Sequence, residues 1–241
     1  MLLTALPLAA HAAGDKRGES MAKDNRKFQQ NRAKKIAKAK VKAAKRKKAE
    51  ARSHFPVFES RYGVTRAELR AAPFYAVYYT PILFEDGMGQ VIISRELDDG
   101  VIASAFFLLD AFCLGVKNTF LRVMTSDQFE EMLEETRVRM ELKKVSPEFA
   151  GKLVHDTIAF ARSLGFEPHP EFEDASILLE GIAFSSCEET FTFGKNGKPL
   201  YMNGPNSTEA EDRAIIKKLA AKLGPDGFNY TVNLGQLTDD A

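Results

Sequence analysis

The chain has 241 residues, 44% of them hydrophobic and 28% charged, with a formal net charge of +1. That length suits one domain with an appended tail rather than two large domains. No apolar run approaches the ~20 residues a membrane-spanning helix needs, so no such helix is expected.

The near-neutral total hides two opposed halves. Residues 23–52 hold 14 Lys/Arg and two acids, a charge of +12. Residues 53–241 hold 18 Lys/Arg and 29 Asp/Glu, a charge of −11. A basic arm on an acidic body is the pattern of a nucleic-acid or membrane-surface contact.

Residues 1–20 read as a leader. Ala10-His11-Ala12 resembles a signal-peptidase site, but no Lys or Arg precedes the apolar run. Met21 opens "MAKDNRKF", a start in its own right, and the reading preferred here is that residues 1–20 precede the true first residue. Export is the competing reading, and it would allow Cys113 and Cys187 to pair. With a start at Met21 the expected compartment is the cytoplasm and both thiols stay reduced. The two cysteines show no CxxC and no metal spacing, and no cofactor is expected.

Residues 21–53 form the basic tail. Its cations include Arg32, Lys34, Lys35, Lys38, Lys40, Lys42, Lys45, Arg46, Lys47 and Lys48. Ala, Lys and Arg favour helix, yet Lys34–Lys38, Lys38–Lys42 and Lys42–Arg46 are like-charged pairs at i,i+4. Alone, the segment is expected to be largely disordered or only partly helical. Neutralised by a polyanion, its 22 residues from Asn31 to Arg52 fold to about 33 Å of helix. The charges surround that helix and no stacking aromatics interleave them, so the expected partner is RNA or DNA, held by its phosphates without base reading. Ile36 and Val41 alone make a poor apolar face for a bilayer. A solubilising role, or docking on the chain's own acids, is the bland alternative.

Residues 54–241 read as a single α+β domain. "VTRAELRA" (64–71) has the Thr65/Glu68 spacing of a capping box, and Pro73 follows it. "FYAVYY" (74–79) is aromatic and β-prone. "GQVIISRE" and "VIASAFFLL" flank Asp98-Asp99-Gly100, a hairpin signal, and the second run is apolar on both sides, as in a central strand. Ser126 to about Glu141 is a predicted helix with acids first (Asp127, Glu130, Glu131, Glu134, Glu135) and basics last. Ser146-Pro147 starts another, with Ala150, Leu153, Val154, Thr157, Ile158 and Ala161 as its buried stripe and Gly165 as its stop. "FTFGKNGKPLYM" is expected to turn on Asn196-Gly197 as a second hairpin. Thr208 and Glu211 cap a helix that buries Ile215, Ile216, Leu219, Ala220 and Leu223, and a last strand starts at Phe228. Hairpins without β-α-β alternation predict an antiparallel or mixed sheet with about four helices packed on it.

"FFLLDAFCLGVKNTF" (106–120), "ARSLGFEPHPEFEDA" (161–175) and "FTFGKNGKPLYMNGP" (191–205) resemble a family of uncharacterised bacterial proteins with an Asp-x-x-Cys-Leu-Gly-Val-Lys block and a Gly-Lys-x-Gly-Lys-Pro hairpin. The resemblance covers roughly residues 74–232. It implies one intact domain and transfers no catalytic residue.

The chemical candidates in the body are Asp110, Cys113 and Lys117. An acid after nine apolar residues must be solvated, paired or hydrogen-bonded. One reading makes Asp110 polarise a thiol or bind an amine, with Lys117 as an anion contact. The other makes Asp110 a cap for the loop leaving the central strand and Cys113 a small core residue. No histidine is tied to Cys113 by spacing. His155 shares a helix face with Lys152 and Arg162, and His169 lies between two prolines. "GKNGK" (194–198) fails the phosphate-loop pattern. Three function classes follow: an accessory protein whose arm binds nucleic acid, ribosomal RNA included; a small-molecule enzyme or ligand-binding domain with a cleft near Asp110, Cys113 and Lys117; and an interaction module whose acidic body takes a basic protein.

Overall fold

A computed structural model describes residues 63–231. The leader and the basic tail, with the ten cations named from Arg32 to Lys48, lie outside the described residues. Within them, α+β is the fold class: an antiparallel five-stranded sheet and a separate parallel pair.

The chain enters through α1 (Arg66–Ala71), which Thr65 and Glu68 cap reciprocally. Strands β1 (Phe74–Tyr79) and β2 (Met88–Glu96) pair antiparallel, with the single turn α2 (Leu83–Asp86) between them. At the following turn Asp99 and Gly100 both have positive φ, and Leu97 N donates to Val101 O. This is the conformation that Asp-Gly favours. Strand β3 (Val101–Asp110) is central and covered on both faces, as its unbroken apolar run predicts.

The chain then reverses at once into β4 (Gly115–Thr125), an eleven-residue strand over residues to which the sequence reading assigned no element. The reversal requires Gly115. Its φ is +74°, and a Cβ there would sit 2.5 Å from the Ala161 Cβ. Thr125 and Gln128 form a capping box for α3 (Ser126–Arg139). Strand β5 (Lys143–Lys144) completes the sheet beside β1. The long helix α4 (Pro147–Ser163) starts on Ser146, and every residue of its expected stripe is buried.

The two faces of the sheet bury different partners. On one, Val77, Val91, Ile93, Phe107 and Leu109 pack against Leu153, Val154 and Ile158 of α4 and against Ile177 and Leu178. The one-turn helix α5 (Phe172–Ala175) crosses this face, and Phe172 meets Phe107. On the other face, Ile92, Ile102 and Phe106 meet Phe129 and Leu133 of α3.

A third cluster joins the end of β3 to the C-terminal part of the domain. Helix α6 (Glu209–Leu223), capped by Thr208 and Glu211, contributes Leu219. Strand β6 (Leu200–Met202) contributes Tyr201 and pairs in parallel with β7 (Asn229–Thr231). The turn at Asn196-Gly197 forms, with positive φ at both residues, but its arms meet only at the Lys195–Lys198 bridge. Phe191 and Phe193 pack on Phe84 and Phe160 instead, which takes residues 191–193 away from a ladder with β6. Arg95 ties this frame to α1. It is 4% exposed and donates to the carbonyls of Arg70, Ala72, Leu178 and Glu180.

Candidate functional site

Asp110 ends β3 and is 2% exposed. Its Oδ1 accepts from Phe112 N at 3.0 Å and Cys113 N at 2.8 Å. A carboxylate that gathers successive backbone N–H groups shapes a tight reversal. This is what turns the chain from β3 into β4, and it matches the capping reading of Asp110.

The same turn buries Cys113 among Leu164, Tyr201, Leu219 and Phe228. Lys117 is the extra residue in β4 where its pairing with β3 shifts register. Its ammonium reaches Gly204 and acts electrostatically on both Asp110 and Asp212. The structure therefore brings Asp110, Cys113 and Lys117 together.

Sequence reasoning missed the other half of the cluster. Tyr201 donates its hydroxyl to Asp212 Oδ1 at 2.6 Å, and Asn203 Nδ2 donates to Asp212 Oδ2 at 3.3 Å. Asp212 lies just past the Thr208 cap of α6, so the capping box was its nearest legible signal.

Electrostatics decides what this cluster can do. Burial raises the Asp110 carboxyl above its ordinary range, against the pull of its backbone donors and Lys117. Burial, and then the Asp110 charge, push the Cys113 thiol up to about 12. A nucleophilic or redox-active cysteine needs the opposite shift and an accessible sulfur. Tyr201 is raised by burial and by its bond to Asp212, while that bond holds Asp212 below the usual carboxylate range. The arrangement is a protonated thiol and phenol packed between two carboxylates and one ammonium, joining the β3–β4 turn to β6 and α6.

The remaining candidates are placed plainly. His155 is exposed, stacks on Phe184 at 4.6 Å and meets Asp156 Oδ1 at 3.1 Å. His169 N donates to Val116 O. The "GKNGK" lysines point away from an anion site: Lys195 donates to Glu85 O and Lys198 to Asp226 O. Among the described residues, no group of three or more His, Cys, Asp or Glu is placed to hold a metal ion. Likewise none of their helices is long and apolar enough to cross a membrane.

Six of the body's own cations are held in ion pairs. Arg66 pairs with Asp174, Arg70 with Glu180, Arg137 with Glu134, Lys152 with Asp156, Arg162 with Glu167 and Arg213 with Glu209. Residues 63–231 carry 17 Lys/Arg against 26 Asp/Glu. On α3, Asp127, Glu130, Glu131, Glu134 and Glu135 are all exposed.

No protein-family model, curated protein or solved structure matches this chain. The likeness to a bacterial family rests on the three quoted blocks alone.

Proposed function

We propose that the protein is a cytoplasmic accessory factor, bacterial by its resemblance, whose basic segment binds RNA or DNA through phosphates. The observation that carries this reading is the charge segregation: +12 over residues 23–52, next to a body in which acids outnumber basics. A polyanion is repelled by that body. Six of its cations are held in ion pairs, and Arg95, Lys195 and Lys198 are spent on carbonyls. Phosphate contact is therefore delegated to the arm, and binding is sequence-independent and steeply salt-sensitive.

The test is a salt titration of binding to RNA and DNA oligomers, with and without residues 21–52. The full chain should bind at low salt and the shortened chain should not. Equal binding by both ends the proposal.

The exposed acids of α3 favour a second reading, in which the body takes a basic protein and the arm competes for the same acids. Under it, removing residues 21–52 strengthens capture of a basic peptide. The nucleophile version of the enzyme reading is disfavoured, because the Cys113 thiol is buried and pushed up to about 12.

A further inference from the structure

Helix α4 carries a groove beside its buried stripe. Gly151, Val154, Ile158 and Ala159 recur at helical spacing and form one wall of a cavity of about 310 Å³. Phe172, Leu179 and Phe184 form the facing wall. Val154 and Ile158 are buried as the floor, while His155, Ala159 and Arg162 stand exposed at the rim. A Cβ on Gly151 would lie 2.8 Å from Ile182 Cγ2, so Ile182 packs against the Gly151 end. The other end opens at Arg162. Along the helix axis these two residues are roughly 16 Å apart. The volume is near the lower limit for small-ligand sites. Drawn out over that length, it is long and narrow, the shape of one unbranched alkyl chain rather than of a ring system.

Two features at the rim point to a ligand. Phe184 stays 37% exposed, stacked on His155 at 4.6 Å. Arg162 holds Glu167 through Nε at 3.0 Å, and its two terminal nitrogens have no partner among the described residues. A guanidinium with a free fork recognises a carboxylate in a bidentate manner. Glu167 is 73% exposed and occupies the Nε edge, which leaves that fork open to solvent.

We propose that this groove binds a medium-chain aliphatic carboxylate, its tail toward Gly151 and its carboxylate on the terminal nitrogens of Arg162. The tail lies on Val154 and Ile158, with the His155–Phe184 pair beside its middle. The negative end of α4 is close to the head, so the carboxylate depends on Arg162 to be held there. The other cation on this side of the helix, Lys152, is already paired with Asp156. The site is independent of the basic arm and of nucleic-acid binding.

The test is calorimetric titration of the full chain with octanoate, and with octanol as the neutral head. Octanoate should bind saturably, one per chain, below about 1 mM. In a series of straight-chain acids from butanoate upward, each added CH₂ should tighten binding roughly fourfold until the groove is full, after which longer acids gain nothing. Arg162→Gln changes an exposed side chain. It should weaken octanoate about tenfold or more and leave octanol unchanged. Ala159→Phe fills the groove from the rim and should abolish binding of both, with unchanged circular dichroism. If Ala159→Phe misfolds, Arg162→Gln carries the test. The arm's lysines attract any carboxylate, but they are the same in all these chains, so a loss in Arg162→Gln belongs to the groove. A parent chain that shows no saturable octanoate binding overturns the proposal. So does an affinity that climbs with chain length without a plateau, or one that is equal for octanoate in the parent and in Arg162→Gln.

Discussion

Replacing Asp110 separates a structural carboxylate from a chemical one. In Asp110→Ala the N–H groups of Phe112 and Cys113 lose their acceptor inside a buried turn. A buried donor left without a partner costs about 1–3 kcal/mol. Part of that loss is offset, because the wild-type chain already bears the burial of a charge. The net expectation is a loss of about 3 kcal/mol. Asp110→Asn keeps the acceptor oxygen and removes the buried charge, while giving up the attraction to Lys117. It should stay within about 1 kcal/mol of wild type. In a urea titration with a slope of roughly 2 kcal/mol/M, the alanine variant should unfold about 1.5 M earlier. The asparagine variant should nearly overlay the parent curve. An asparagine variant as unstable as the alanine one would refute the reasoning, because the charge rather than the acceptor would then hold the turn. So would an alanine variant that loses nothing.

Arg95→Met should cost about 2–4 kcal/mol, since the buried carbonyls of Ala72 and Leu178 lose their donor. Arg95→Lys should recover part of it, and equal urea midpoints for all three chains would contradict this role. Cys113 gives a pH signature. Its folded pKa is raised from 9.0 to about 12, so its contribution is intact below pH 9 and fades as pH rises toward the folded value. The unfolded chain releases the proton first, and stability should fall by about 1.4 kcal/mol per pH unit over that window. Cys113→Ala should be less stable at pH 8 but show a shallower alkaline decline in urea melts. Half-buried Cys187 should react with a thiol reagent in the native chain, and Cys113 only on unfolding. Native labelling of Cys113 would restore a nucleophile as an open reading.

Local chemistry was legible in this sequence, and distant chemistry was not. The boxes Thr65/Glu68 and Thr208/Glu211, the Asp99-Gly100 turn and the stripe of α4 each act within a few residues. The expectations for them match the structure. Strand β4 was missed because "GVKNTFLRVMT" mixes Gly, Lys, Asn and Arg into the run. Its buried alternation of Thr119 and Leu121 is short, and a tight turn precedes it directly. The parallel pairing of β6 with β7 spans α6, so no local signal marks it, and the "GKNGK" turn drew its flanks into an expected hairpin instead. At the candidate site, Asp110, Cys113 and Lys117 stood out because a charge and a thiol follow an apolar strand. Tyr201 and Asp212 reach them only through the packing of β6 and α6, which sequence spacing does not encode.

The central claim is that the arm, not the body, meets nucleic acid. Its most direct test is the slope of log affinity against log salt for the full chain and for a chain lacking residues 21–52. If about eight of the arm's cations displace counterions, the full chain should show a slope near −7 and lose roughly ten-thousandfold between about 50 and 200 mM salt. The shortened chain should show no measurable binding. A shortened chain that binds as tightly, or a full chain whose affinity ignores salt, would contradict the account.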